Sequence, residues 1–208
     1  MNVLAIGAHF DDIELGCGGA LARHAADGDR VYGYVATTSG YVNHHGAWVR
    51  RNRMALCEAQ KASAILNITL ITNKFRALNL TANDRLNCEL LTIMEKHRID
   101  TVYTHWNGDA HCDHRVIAAT SIHCCRHIPR VLMYRSNWYD TEQAFVGSFY
   151  VDVTAYWTAK IAAVDCHSSE MQRTRKSWLA YLDRDSANAG SRIGVERAEA
   201  YEVLRWLR

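Results

Sequence analysis

The chain has 208 residues, 49% hydrophobic and 22% charged, an ordinary globular composition with length for one domain and a full core. Its formal net charge of +2 is too balanced to argue for nucleic acid or an anionic membrane as partner. No stretch reaches the roughly 20 apolar residues of a membrane span, and the short run Val3–Ala8 ends at His9, unlike a signal peptide, so the expectation is a soluble cytoplasmic protein.

The elements alternate. Val3–Ala8 is an unbroken apolar run, as expected of a strand buried on both faces. Glu14–Ala26 reads as a helix stopped by Gly28, and Arg30–Thr37 as a second strand. Residues 39–49 form a loop containing glycine and histidine. Arg51–Leu66 is helical, Asn67 suits a left-handed helix end, and Asn67–Thr72 is a third strand. Arg85–His97 is a helix, Asp100–Trp106 a strand, His114–Arg126 a helix and Val131–Arg135 a strand. Phe149–Val153 suits a strand, and Thr154–Val164 and Glu170–Tyr181 suit helices; from Gly190 onward helix and strand are not separable. Strands alternating with helices predict an α/β, Rossmann-like three-layer fold with a mostly parallel sheet and right-handed crossovers. Pro129 is the only proline and there is no linker or repeat, so residues 1–208 read as a single domain. The seven cysteines, an odd number with no CxxC pair, read as reduced and mostly buried thiols.

In such sheets ligands bind outside the carboxyl ends of the strands. The first strand ends in His9-Phe10-Asp11-Asp12, and the loop after the fourth contains His111-Cys112-Asp113-His114. Two adjacent carboxylates repel and are costly to desolvate, which points to a compensating cation. A His/Asp/His set suits zinc, with three protein ligands and an open position. A divalent ion acidifies water, and a spare carboxylate can accept the proton. The residues alone leave open which aspartate and which histidine bind metal. Gly16-Cys17-Gly18-Gly19 fails the dinucleotide fingerprint because Leu stands at 21, so its small residues point to close helix packing.

With these motifs placed, GAHFDDIELGCGGALARHA resembles the opening of the LmbE-like, or PIG-L, N-acetylglucosaminyl deacetylases, usually AHPDD, and HCDH resembles their HxDH. EAQKASAILN, KIAAVDCHSS and GSRIGVERAEAY are similar to further family segments, so the likeness runs nearly the whole chain and is nearest the short bacillithiol-type members. The resemblance implies one zinc ion held by His9, Asp12 and His114, with Asp11 as general base. It implies His111 as oxyanion stabiliser and acid, with Asp113 paired to it. The implied reaction removes acetyl from an N-acetylated amino sugar conjugate, a small-molecule partner, releasing acetate and an amine. Two alternatives stand beside it: a metal- or sugar-binding module without hydrolysis, and a deacylase for a non-sugar amide.

A family arginine that contacts the sugar matches Arg50, Arg51 or Arg53, and His44 and His45 in the loop after strand two are further substrate-contact candidates. His167 matches a family position near the active site, with a capping or packing role as the other reading. Trp48, Trp106, Trp138 and Tyr139 fall in loops and are candidates to line a pocket. Phe10 replaces the usual proline, which predicts a looser loop or packing on substrate. Loops 39–49, 73–84 and 136–148 would select the acceptor. Family members are often oligomers, and the tail Tyr201–Arg208 suits either a partner contact or a fold-back onto its own domain.

Overall fold

A computed structural model describes residues 1–207. Its elements, in chain order, are β1 (Asn2–Gly7), α1 (Asp12–Ala26), β2 (Arg30–Thr37), β3 (Tyr41–Val42), β4 (Trp48–Arg50), α2 (Asn52–Ile65) and β5 (Thr69–Phe75). There follow α3 (Asp84–Lys96), β6 (Thr101–His105), α4 (Cys112–Cys124), β7 (Arg130–Tyr134), β8 (Phe149–Asp152), α5 (Trp157–Asp165), α6 (Ser168–Arg173), α7 (Ser177–Ile193) and β9 (Ala198–Trp206).

Seven strands form one sheet in the order β5-β2-β1-β6-β7-β9-β8. The first five are parallel; β9 runs antiparallel to β7, and β8 antiparallel to β9. The apolar run of β1 explains its central place, because alternate residues face opposite layers. Val3 and Ala5 pack with Ala20 and Leu21 of α1 and Ala55 and Ala59 of α2. Leu4 and Ile6 pack with Leu86 and Leu90 of α3 and Ile117 of α4. The expected three-layer α/β fold is therefore present. The chain winds outward from β1 in one direction and from β6 in the other, so the loops after these two strands part and leave a crevice.

Several boundaries differ from the sequence expectation. The loop 39–49 contains the small β3–β4 hairpin. The helix expected over Glu170–Tyr181 is two helices, because Arg175 (φ 50°) and Lys176 (φ 59°) are left-handed and turn the chain between α6 and α7. α4 begins at Cys112, so the HCDH motif opens the helix instead of preceding it. Asn67 is left-handed as expected, with φ 54°.

The glycines of α1 are packing residues. A Cβ on Gly16 would lie 2.0 Å from a ring carbon of Tyr134, and one on Gly19 would lie 2.8 Å from Val153. The tail folds onto its own domain as β9, with Trp206 packed against Phe149 in a tilted pair, 4.6 Å between ring centroids. Arg208 lies outside the described residues. The cysteines are unpaired, but only Cys17, Cys124 and Cys125 are buried; Cys57, Cys88 and Cys112 are exposed. Among the described residues no helix is long and apolar enough to cross a membrane.

Candidate metal centre and catalytic cleft

The crevice outside β1 and β6 holds a cavity of about 290 Å³ whose walls include His9, Asp11, Asp12, Arg50, His111 and His114. Asp12, first residue of α1, turns its carboxylate back to the end of β1. Its Oδ2 accepts from the amides of Ala8 (3.1 Å) and His9 (2.7 Å) and lies 3.1 Å from His105 Nε2. Its Oδ1 accepts from Ser136 Oγ at 3.2 Å and faces His114 Nε2 at 3.2 Å.

His9 Nδ1 lies 3.2 Å from His114 Nε2 and 3.4 Å from Asp12 Oδ2. His9 thus approaches one Asp12 oxygen and His114 the other, and the groups that could hold an ion among the described residues are His9, His111 and His114, and Asp12, His105 and His114. The outer atoms of both imidazoles face carboxylates: His9 Nε2 is hydrogen-bonded to Asp113 Oδ2 at 3.0 Å, and His114 Nδ1 lies 3.1 Å from Asp109 Oδ2 without hydrogen-bond alignment. Carboxylates there fix the tautomers that turn Nδ1 of His9 and Nε2 of His114 inward as lone pairs. Nitrogens turned inward in this way would hold a cation between them.

Electrostatics point the same way. Burial pulls the His9 and His114 imidazoles down, but their carboxylate partners outweigh it and raise them to about 9 and about 10. Burial pushes Asp12 up, yet the charges of His114 and His105 hold it well below the usual range. The carboxylates favour positive charge among these rings, which ring protons or a bound cation can supply, and the nitrogen and oxygen donors fit zinc.

Asp11 behaves differently from its neighbour. It precedes α1 with φ 134° and makes no capping bond, so the adjacent carboxylates are not explained by helix capping. Burial, with repulsion from Asp12, raises it to about 7 despite the nearby Arg50 guanidinium. His111 caps α4: its Nδ1 accepts the Asp113 amide at 3.2 Å, leaving Nε2 to carry the proton. Burial and the neighbouring His9 lower it to about 4, so the ring is neutral at physiological pH.

The geometry corrects several expectations. The Asp113 carboxylate pairs with His9, not with His111; it also accepts from the amides of Leu78 (2.6 Å) and Leu80 (3.1 Å) and from Cys112 Sγ (3.9 Å). Of the three arginines only Arg50 enters the site, 2% exposed, while Arg51 and Arg53 are on the surface. His44 and His45 are exposed and lie against each other, tilted by 46° with 3.8 Å between ring centroids, away from the cavity walls. Phe10 is buried in the core, and its amide donates to Ser39 Oγ at 2.7 Å, a bond that proline could not make. Its side chain does not reach the cavity walls.

Trp138 and Tyr139 line the cavity, joined by Trp178 of α7, whereas Trp106 is core and Trp48 is exposed outside it. Each of the three selected loops contributes to the wall, through Ser39 and Tyr41, Ala77 and Leu78, and Ser136–Tyr139. His105, Asp109 and Ser136, all buried, were not anticipated. His105 lies inside a strand pattern, and only its place at the carboxyl end of β6 signals a site.

Comparison with known proteins agrees with this architecture. The family model described as PIG-L, GlcNAc-PI de-N-acetylase, matches residues 4–125. The protein called uncharacterized deacetylase YaiS of Escherichia coli (strain K12) is 34% identical over 180 residues, covering 81% of this chain and 91% of its own. The N,N'-diacetylchitobiose deacetylase of Pyrococcus horikoshii superposes with a TM-score of 0.82 at 19% identity, over 98% of this chain and 83% of that one. GalB, the 4-carboxy-2-hydroxymuconate hydratase of Pseudomonas putida KT2440, gives 0.80 at 17% identity, over 100% and 98%. At such identities the likeness establishes the fold, which evidently hosts more than one reaction. Taken with the match over residues 4–125 and the relation to YaiS, it shows that the chain belongs to the PIG-L, or LmbE-like, deacetylase family.

Proposed function

We propose that the chain is a zinc-dependent hydrolase that removes the acetyl group from an N-acetylglucosamine-type amino sugar conjugate, releasing acetate and a free amine. The observation that carries this reading is the meeting of His9 Nδ1 and His114 Nε2 at 3.2 Å, each beside one oxygen of Asp12 (3.4 Å to Oδ2 and 3.2 Å to Oδ1), in a cavity that Asp11 and His111 also line. A divalent ion held by these three residues would polarise the acetyl carbonyl and acidify water.

The remaining steps belong to the chain's own groups. Asp11, at about 7, is matched to take a proton from the attacking water at neutral pH. Neutral His111 offers its Nε2–H to the oxygen of the tetrahedral intermediate as negative charge develops there. Expelling an amide anion is prohibitively uphill, so the proton collected by Asp11 goes to the departing nitrogen. Trp138, Tyr139 and Trp178 suit the apolar faces of a sugar ring or its aglycone.

The test is metal content of the purified protein, with acetate release from a panel of N-acetylglucosamine conjugates before and after chelation. Stoichiometric zinc with chelator-sensitive acetate release is the expected result. Acetate release only from non-sugar amides would favour a deacylase of another substrate class. A folded protein that takes up no divalent ion and releases no acetate would favour a binding module.

A further inference from the structure

Arg50 ends β4 with its side chain 2% exposed and its guanidinium spread over four partners. Nη1 donates to the Phe10 carbonyl at 2.8 Å and to Asp11 Oδ2 at 3.0 Å. Nη2 donates to Glu58 Oε2 at 2.9 Å and to His167 Nδ1 at 3.1 Å. The planar fork is therefore fixed on both sides.

Its anchors are themselves held. Glu58 of α2 accepts at Oε1 from Ser168 Oγ (3.0 Å) and the Ser169 amide (2.8 Å), and at Oε2 from Ser169 Oγ (2.7 Å). That ties α2 to the first turn of α6. His167, with none of its surface exposed, sits before α6, its Nε2 3.5 Å from Glu14 Oε1. Asp11 at φ 134° is in a conformation that side-chain-bearing residues rarely adopt, and Arg50 grips the chain on either side of that point. With Oδ2 committed to Arg50, Asp11 Oδ1 has no hydrogen-bond partner among the described residues, and Asp11 lines the cavity.

We infer that Arg50, clamped by Glu58 and His167, is the positioning residue of Asp11, holding one carboxylate oxygen so that the other stays free for the reacting water. The inference rests on Asp11 being the base, and it replaces the expected role of Arg50 as a sugar contact.

Two variants test it, Glu58→Gln, which releases one arm of the clamp, and Arg50→Lys, which replaces the fork with a point charge. Crystal structures of each should show the Asp11 carboxylate displaced while His9, Asp12 and His114 keep their places. Zinc content should be unchanged, and kcat should fall roughly 10–100-fold with KM within about twofold, as expected for a misplaced catalytic group. An Asp11 carboxylate in its wild-type position in both variants overturns the inference. So does a loss carried by KM with kcat retained, which would make Arg50 a substrate contact. Wild-type protein that releases no acetate removes the deacetylase reading, and the crystal structures still decide the positioning.

Discussion

The Asp113 carboxylate lies 3.0 Å from His9 Nε2, on the far side of the ring from the nitrogen that faces Asp12 and His114. Burial alone would raise Asp113, but the hydrogen bond to His9 and the amides of Leu78 and Leu80 hold it below its ordinary value. The charged carboxylate orients the imidazole and increases its basicity. Asp113→Ala should therefore weaken zinc binding about 10–100-fold, measured by competition with a chromophoric chelator. Asp113→Asn, which still offers an acceptor oxygen, should lose less, and both should regain turnover in excess zinc. Wild-type zinc affinity with lost turnover would instead tie Asp113 to His111.

Asp11 and Asp12 are adjacent in sequence and separable in function. Asp11→Ala should lower kcat about 10²–10⁴-fold with zinc content intact. His9→Ala and His114→Ala should lose zinc and turnover together. His111→Ala should lower kcat with zinc retained, because its ring contributes a donor to the cavity and not an inward lone pair to the cluster. Elemental analysis beside acetate release separates these classes, and Asp11→Ala with near-normal turnover would remove the base assignment.

Much of this was legible in the sequence, for identifiable reasons. The apolar run of β1 and the alternation of elements carry the sheet, and a sheet edge places the HFDD and HCDH motifs in one crevice. Local pattern does not carry partnership across the fold. Arg50, Arg51 and Arg53 are equivalent in sequence, and only the hairpin β3–β4 turns Arg50 inward. Asp113 follows His111 closely in sequence, yet the first turn of α4 presents its carboxylate to His9, in the turn after β1. His105 and Asp109 read as strand and loop residues because their partners, Asp12 and His114, come from distant parts of the chain. The break between α6 and α7 has no proline or glycine to mark it; two left-handed basic residues make the turn.

Close packing of α1 predicts a sharp asymmetry between its glycines. At Gly16 a methyl group would meet Tyr134, whose hydroxyl donates to the Ile6 carbonyl at 2.8 Å and so cannot swing away freely. Gly16→Ala should destabilise by about 1–3 kcal/mol, a Tm drop of roughly 2–12 °C for a chain of this size. At Gly18 the same methyl would meet Lys160 and Leu66 at 3.5 and 3.6 Å, ordinary contact distances. Gly18→Ala should leave Tm unchanged or raise it slightly, since alanine favours the helix. Thermal unfolding of the two variants side by side checks the packing of α1, and an unaffected Gly16→Ala would mean that Tyr134 is not where the fold places it.

The Glu58 clamp carries its own pH signature. Burial alone would raise the Glu58 carboxyl, but the Ser169 hydroxyl and amide and the Arg50 guanidinium hold it below its ordinary value. A carboxyl depressed in the folded state stabilises above its unfolded value, about 4.3. That contribution is lost as pH falls through the lower folded value, where both states bind the proton. Glu58→Gln should therefore destabilise by about 2–3 kcal/mol near pH 7, as expected for a lost hydrogen-bonded charge. The gap to wild type should begin to narrow below about pH 4. Urea unfolding of both proteins at neutral and acidic pH measures it. Glu58→Gln as stable as wild type at neutral pH would mean that Glu58 acts by shape alone and that its charge does not hold Arg50 in place.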